Sequence, residues 1–110
     1  MSITSDLIRG HTDTIILAKL MEKDSYGYEI NKAVYNVSNQ KYELKEATLY
    51  TAFKRLEDAG CISSYWGDQS TGARRKYYTI TAIGKEVYKQ KLSEWLEAKT
   101  LIDALLKTEG

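Results

Sequence analysis

Hydrophobic residues in the first half of the chain recur every three or four positions, which is the period of an α-helix. This pattern predicts three helices, at residues 5–22, 25–39 and 45–59. Ser5 and Ser25 are suited to cap the first two helices, and Gly60 is suited to end the third in a left-handed conformation. The predicted core positions are Leu7, Ile8, His11, Ile15, Leu17, Ala18 and Met21, then Tyr26, Ile30, Ala33 and Val37, and finally Ala47, Leu49, Phe53 and Leu56.

The pattern changes after Gly60. The stretch CISSYW at residues 61–66 is short and rich in residues that favour strands, and RKYYTIT at residues 75–81 alternates in character. Gly67 and Gly72 lie in the segment between them. We therefore expect two strands joined by a glycine-containing loop, which is a β-hairpin.

A long helical pattern follows Thr81 and covers residues 82–107. Its seam positions are spaced alternately by four and three residues, as in a heptad repeat with one polar interruption: Tyr88, Leu92, Trp95, Lys99, Ile102 and Leu106. A small domain that has closed its own core leaves nothing to cover this seam, which would then be a sizeable apolar patch. We predict that Tyr88, Leu92, Trp95, Ile102 and Leu106 form a homodimer interface.

Three helices followed by a β-hairpin is the order of elements in a winged helix, a variant of the helix-turn-helix. We therefore predict a mainly α protein with a β-hairpin. Residues 1–80 would form a winged helix-turn-helix DNA-binding domain and residues 81–110 a C-terminal dimerisation helix, both within one structural unit. The 110 residues, 43% of them hydrophobic, suit a single domain with one core.

The charge of the chain is nearly balanced but unevenly distributed. Sixteen basic and fifteen acidic residues give a net charge of +1, far from that of a protein that binds nucleic acid over its whole surface. Residues 69–85 nevertheless contain cations and no acid, whereas acids outnumber lysines in residues 94–110. A site for a polyanion must therefore come from local clustering.

Cys61 is the single cysteine and His11 the single histidine, which excludes an internal disulfide and the usual Cys/His zinc sites. The chain also lacks a Ser/His/acid set for nucleophilic catalysis and a Gly-rich phosphate loop. We expect no enzyme activity, no cofactor and no metal. No signal-peptide pattern and no apolar run of ~20 residues occurs, so we expect a cytoplasmic protein that does not insert into a membrane.

The outward side chains of the third helix are mostly hydrogen-bond donors. Arg and Lys can contact guanine or phosphate, Thr a phosphate or a thymine methyl, and Tyr a phosphate. The hairpin adds arginines beside Gly72 that can clamp phosphate or enter a minor groove, with Tyr77 and Tyr78 anchoring the strand. We predict binding to double-stranded DNA through Lys45, Thr48, Tyr50, Thr51, Lys54 and Arg55 on the helix and Arg74, Arg75, Lys76 and Tyr77 on the hairpin.

Two other interpretations of these cations remain open. A basic helix face or hairpin can serve solubility alone. A winged helix can also contact another protein without binding an operator, with the C-terminal seam recruiting a partner helix. The two basic clusters lie on adjacent elements and reinforce each other, which favours DNA binding.

Short motifs occur in order along nearly the whole chain: R-G-H at residues 9–11, Y-G-Y-E-I at 26–30, A-T-L-Y at 47–50, K-R-L-E at 54–57, G-A-R-R-K-Y-Y at 72–78 and T-A-I-G-K at 81–85. Each motif alone is weak, but their joint order is specific. Through them the chain resembles the PadR family of transcriptional regulators. Within the family it is similar to the short branch that includes a lactococcal multidrug-binding repressor, with which it shares E-A-T-L-Y-T-x-F-K-R-L-E and I-S-S-Y-W-G-D.

The resemblance implies a homodimeric repressor whose C-terminal helix packs across its partner and which binds a palindromic operator. It also implies a flat channel at the dimer centre, where a tryptophan from each subunit sandwiches a planar aromatic ligand. Trp95 matches that tryptophan, although an aromatic of the core or dimer seam is an equally good interpretation and the two roles are compatible. The positions that match the channel lining are Leu7, Gly10, Asp13, Thr14 and Leu17.

Lys99 departs from the resemblance, because the multidrug-binding relative has an acidic residue one turn after its tryptophan. Our hypothesis is that Lys99 belongs to the ligand site and either pairs with an acid such as Asp13 across the channel or selects neutral or anionic aromatics. Many relatives also have proline where this chain has Thr51, which leaves the predicted fold unchanged. We interpret Trp66 as a packing residue of the hairpin, and His11 and Cys61 as packing residues of a helix and a strand.

Overall fold

The computed structural model describes residues 7–67 and 74–108. Helices α1 and α2, Thr12–Glu22 and Gly27–Val37, flank the two-residue strand β1, Ser25–Tyr26. Helix α3, Glu46–Asp58, is followed by strands β2, Ile62–Trp66, and β3, Lys76–Ile80, and then by helix α4, Ala82–Leu106. The predicted fold class is confirmed: the chain is mainly helical, with a small antiparallel sheet and a long C-terminal helix.

The first predicted helix is interrupted. Residues 7–9 are helical, Gly10 and His11 form a turn, and α1 begins at Thr12. The Thr12 hydroxyl donates a hydrogen bond to the Arg9 carbonyl over 2.8 Å, which joins the two parts. The turn resets the phase of the helix, so the buried side chains are Ile16, Leu17 and Leu20, whereas Leu7 and Met21 are exposed. The prediction of one helix from residue 5 to residue 22 was therefore wrong, and Ser5 lies outside the described residues.

Ser25 does not cap the second helix. Ser25 and Tyr26 are extended and pair antiparallel with Tyr78 and Tyr77 of β3, so the sheet has three strands in the order β1–β3–β2. The helix begins two residues later than expected, and its buried face carries Ile30 and Val34. The expected core position Val37 is 71% exposed.

Helix α3 ends as the sequence predicted. Gly60 has a φ of 78°, a left-handed value that glycine adopts without steric cost. The amide of Gly60 donates to the carbonyl of Glu57 and the amide of Cys61 to that of Leu56, the bond pair of a Schellman cap. The buried face of α3 consists of Leu49, Ala52, Phe53 and Leu56. Ala47, predicted to face inward, is exposed, because the buried stripe is centred one position further around the helix.

The core joins α3 to the sheet. The rings of Phe53 and Tyr78 stack with centroids 4.0 Å apart and an interplanar angle of 17°. Strands β2 and β3 pair in the register Ile62↔Ile80 to Trp66↔Lys76, as expected for a hairpin. The position of β3, and of the basic residues that precede it, is therefore tied to the position of α3.

Helix α4 is anchored at its start and uncovered at its end. Thr81 caps it, accepting a 3.0 Å hydrogen bond from the Gly84 amide. The first half packs on α1 and the core through Val87 and Tyr88. The exposed large hydrophobic residues of the second half are Trp95, Leu96, Leu101, Ile102, Leu105 and Leu106, from 40 to 74% exposed.

Candidate nucleic-acid interface

The outward face of α3 is set by the helical rotation of about 100° per residue. Opposite the buried stripe lie Ala47, Thr51 and Lys54, all of them exposed. Lys54 forms an ion pair with Asp58 one turn later, with Nζ and Oδ2 3.5 Å apart and both side chains in solvent. Such an exposed pair contributes ~0–1 kcal/mol, so it does not prevent Lys54 from reaching another anion.

Ala47 lies on the outward face of α3, although the sequence pattern predicted a core position for it. Its methyl group lies among the donors of the outward face, where a small apolar side chain can contact a thymine methyl. The apolar character of Ala47 made it resemble a core position. Only the burial of Ala52 in its place reveals the true phase of the helix.

A cleft between α2, α3 and the base of the hairpin brings tyrosines and cations together. Its lining residues are Tyr26, Gly27, Tyr28, Tyr50, Arg74, Arg75 and Lys76. A Cβ at Gly27 would lie 2.6 Å from the Tyr50 hydroxyl oxygen, so a larger residue there would require the Tyr50 ring to move. Tyr50 is 47% exposed and Tyr28 70% exposed, which leaves phenolic groups available beside the arginines.

The cationic side chains at the base of the hairpin contact aromatic rings. The guanidinium carbon of Arg75 lies 4.9 Å from the Tyr26 ring centroid, and that of Arg74 lies 5.2 Å from the Trp66 ring. The Lys76 ammonium lies 5.7 Å from the Tyr78 ring. Cation–π contacts orient these side chains while leaving their N–H groups free to donate elsewhere. Trp66, expected to pack within the hairpin, is 56% exposed and supports Arg74.

Tyr77 is half-buried and packed on both sides. Its ring stacks on Tyr65 with centroids 5.6 Å apart and meets the edge of Tyr26 at 5.3 Å. Tyr65 in turn donates a 2.7 Å hydrogen bond to Asp24, which raises the pKa of the Tyr65 phenol. These contacts fit the anchoring role expected for Tyr77. Gly72 lies outside the described residues.

Arg55 is tied to α1. Its Nε donates to Asp13 Oδ2 over 3.1 Å, and its Nη2 donates to Asp13 Oδ1, so that the pair is bidentate. The hydrogen bonds and the charge of Asp13 raise the pKa of the Arg55 guanidinium further. A contact between residues 42 positions apart has no local sequence signal. It joins a residue predicted to bind DNA with one predicted to line the ligand channel.

Trp95 contacts α1 through His11. The two rings meet edge to face, with centroids 4.9 Å apart and an interplanar angle of 67°. Among the residues matched to the ligand channel, Leu7 and Gly10 are exposed and Asp13 and Thr14 are half-buried. Leu17 is 0% exposed and packs in the core, so its side chain is not available to a ligand in this structure. Lys99 is exposed, and Asp13 is already held by Arg55 of the same chain.

The predicted dimer residues differ in exposure. Tyr88 and Leu92 are half-buried within the chain, and Tyr88 packs against the core. Trp95, Ile102 and Leu106 are exposed.

Within residues 7–67 and 74–108, no cluster of three or more His, Cys, Asp or Glu side chains is arranged to hold a metal. None of the helices in these ranges has the length and apolar character needed to cross a membrane.

Known proteins share this combination of a winged helix and a long C-terminal helix. A transcriptional regulator from Clostridium thermocellum is 50% identical, with a TM-score of 0.87, 96% of this chain covered and 100% of that chain. A PadR family transcription regulator from Clostridium difficile R20291 is 39% identical, with a TM-score of 0.76 and coverage of 88% and 99%.

The negative transcriptional regulator PadR of Bacillus subtilis is 31% identical over 94 residues. These are 86% of this chain but 50% of that protein, so the chain spans half of its length. The model of the PadR-like family of transcriptional regulators matches residues 16–90, which include α3, the hairpin and the start of α4. The chain therefore belongs to the PadR-like family of transcriptional regulators.

Proposed function

We propose that this regulator is a cytoplasmic repressor that binds a palindromic operator as a homodimer and is released by a planar aromatic effector. The observation that carries the DNA-binding part is the cleft in which Tyr50, on the flank of α3 that faces the hairpin, meets Arg74, Arg75 and Lys76. Helix α3 is the recognition helix of this proposal, called the reader below. The reader and the hairpin thus present hydrogen-bond donors side by side. The reader enters the major groove, and the hairpin contacts the flanking backbone.

The predicted contacts divide into two classes. Ala47 and Lys54 lie at the centre of the outward face and read base edges. Lys45, Tyr50 and the hairpin cations bind phosphates, which fix the register of the protein on the duplex. The ring contacts of Arg74 and Arg75 reduce the conformational entropy that these long side chains lose on binding.

Dimerisation through the second half of α4 follows from its exposed apolar residues. Burying one Leu or Ile side chain contributes ~1.5–3 kcal/mol, so a few such contacts from each subunit support association. Trp95, Ile102 and Leu106 are the exposed residues of the predicted seam, and Leu101 and Leu105 are exposed beside them. In the dimer the two readers lie roughly one DNA turn, ~34 Å, apart, which matches a palindrome.

The effector proposal rests on Trp95 and on the resemblance to the multidrug-binding branch. Trp95 is 40% exposed, so an aromatic ligand can still reach its ring beside His11. Because Arg55 occupies Asp13, the Lys99 ammonium selects neutral or anionic aromatics. The ligand releases DNA only if it prefers a dimer geometry in which the two readers are wrongly spaced. A repressor role is supported by the negative regulator PadR of Bacillus subtilis.

A footprint on DNA upstream of its own gene tests the proposal. We expect hydroxyl-radical protection at two half-sites about one helical turn apart. Arg75→Ala should weaken both protections equally, and Lys107→Ala on the tail of the protein should weaken neither. Absence of any protected site, together with binding of another protein, would instead support a winged helix used for protein contact.

A further inference from the structure

A concavity on the α1 side of the reader helix has the composition of an anion site. Its lining residues are two arginines, three threonines and one alanine, none of which has a carboxylate: Arg9, Thr12, Ala47, Thr48, Thr51 and Arg55. The Thr12 hydroxyl is buried and already donates to the Arg9 carbonyl. The side chains of Thr48 and Thr51 line the same concavity as the two arginines.

The ion pair with Asp13 leaves some hydrogen-bond donors of Arg55 unused by Asp13. A guanidinium has five N–H donors, and the bidentate pair uses two of them. Arg55 also lines the concavity, so its other N–H groups can serve an anion there. Asp13 therefore acts as a positioning residue, since its two hydrogen bonds fix the long Arg55 side chain before an anion arrives.

This concavity lies across α3 from the hairpin. Thr48 lines the concavity and Tyr50 lines the cleft of the hairpin cations, and two positions on a helix differ by about 200° in direction. The major groove is ~12 Å wide and a helix with its side chains is ~10–12 Å across, so a docked reader faces the phosphates on both edges. The hairpin side serves one edge and the concavity faces the other.

We infer that Arg9 and Arg55, with the hydroxyls of Thr48 and Thr51, bind a backbone phosphodiester on the groove edge opposite the hairpin. The inference rests on the proposed operator binding and adds Arg9 to the residues predicted to bind DNA. The reader is then held from both strands. Its tilt in the groove is fixed by two phosphate contacts on opposite sides of α3.

The salt dependence of DNA affinity tests this site. Fluorescence anisotropy with a labelled mixed-sequence duplex of about three helical turns gives the slope of log affinity against log salt. Arg9→Gln should lower the magnitude of that slope by about 0.9 per bound subunit, because one phosphate contact is lost. Lys89→Gln, which removes an equal charge from an exposed position on α4, should leave the slope unchanged. Combining Arg9→Gln with Arg75→Ala should give the sum of the two single reductions.

A structural role for Arg9 would give a different result. Reduced affinity with a wild-type slope in Arg9→Gln would overturn the inference, as would a slope reduced equally by Lys89→Gln. Arg9→Lys keeps the charge and should restore the slope, whereas a protein that merely needs the Arg9 packing would not recover. If the wild-type protein itself shows no salt-dependent binding, the proposed function fails, which is a separate outcome.

Discussion

Replacing Gly84 with alanine should destabilise the junction between the winged helix and α4. A Cβ at this position would lie 2.0 Å from the Cys61 carbonyl oxygen and 2.7 Å from Ile80 Cγ1. The obstacle is backbone, which a side-chain rotation cannot remove. The start of α4 would have to move away from β2 by more than 1 Å, since ordinary van der Waals contact begins at 3.4 Å.

Two opposing effects decide the magnitude. Alanine is favoured over glycine in a helix by ~1 kcal/mol. Overpacking costs ~1–3 kcal/mol, and the movement would also loosen the Thr81 cap, which is worth ~1 kcal/mol, and a hydrogen bond of similar value from the Thr81 amide to the Cys61 carbonyl. We expect a net loss of ~2–4 kcal/mol in the free energy of unfolding, which lowers Tm by about 10 °C in a domain of this size.

Thermal unfolding followed by circular dichroism measures this loss. Gly10→Ala is the matched control, because no atom of residues 7–67 and 74–108 lies within 4 Å of a Cβ there and its φ is outside the left-handed region. It should leave Tm unchanged or slightly higher. A Gly84→Ala protein as stable as the wild type would refute the close packing of α4 on the Cys61 carbonyl.

Three further predictions concern the dimer, the effector site and the core. Ile102→Asp should give monomers in gel filtration, because a buried unpaired carboxylate is unfavourable, and dimers that persist would place the interface elsewhere. Quenching of Trp95 fluorescence should be tighter with anionic than with cationic planar dyes, and the reverse order would exclude the selecting role of Lys99. Burial first, and then the charge of Glu57, raises the pKa of the Tyr78 phenol. Its contribution to stability should therefore be complete below about pH 10, the pKa of a free Tyr, and be lost as the pH rises through the raised value. Urea titrations should show a steeper alkaline loss for the wild type than for Tyr78→Phe, and equal losses would contradict this assignment.

The parts of the fold that the sequence predicted carry local signals. Gly60 ends α3 through its own conformational freedom, and Thr81 caps α4 through its own hydroxyl. The two-residue strand β1 is too short to show a periodicity, and it pairs with residues of β3 that are 51 and 53 positions away, Tyr26 with Tyr77 and Ser25 with Tyr78. Ser25 and Tyr26 therefore resembled the start of a helix.

The candidate site likewise contains features with a local sequence signal and features that depend on distant residues. The cations of α3 and of the hairpin are visible as clusters in the sequence, and the structure brings those of the hairpin to Tyr50. The exposure of Ala47, the tie between Asp13 and Arg55 and the burial of Leu17 depend on the phase in which helices pack against each other. A hydrophobic pattern alone does not decide whether a residue at the edge of a buried helix face points into the core or into solvent.

Sequence-specific binding is the central claim, and one comparison of affinities tests it most directly. The wild-type protein is titrated at fixed salt against a labelled duplex from upstream of its own gene and a scrambled duplex of the same composition. We predict that the upstream duplex binds at least ~1,000-fold more tightly, as expected for base contacts from α3. Equal affinity for the two duplexes, or no binding to either, would contradict a reader helix that recognises an operator.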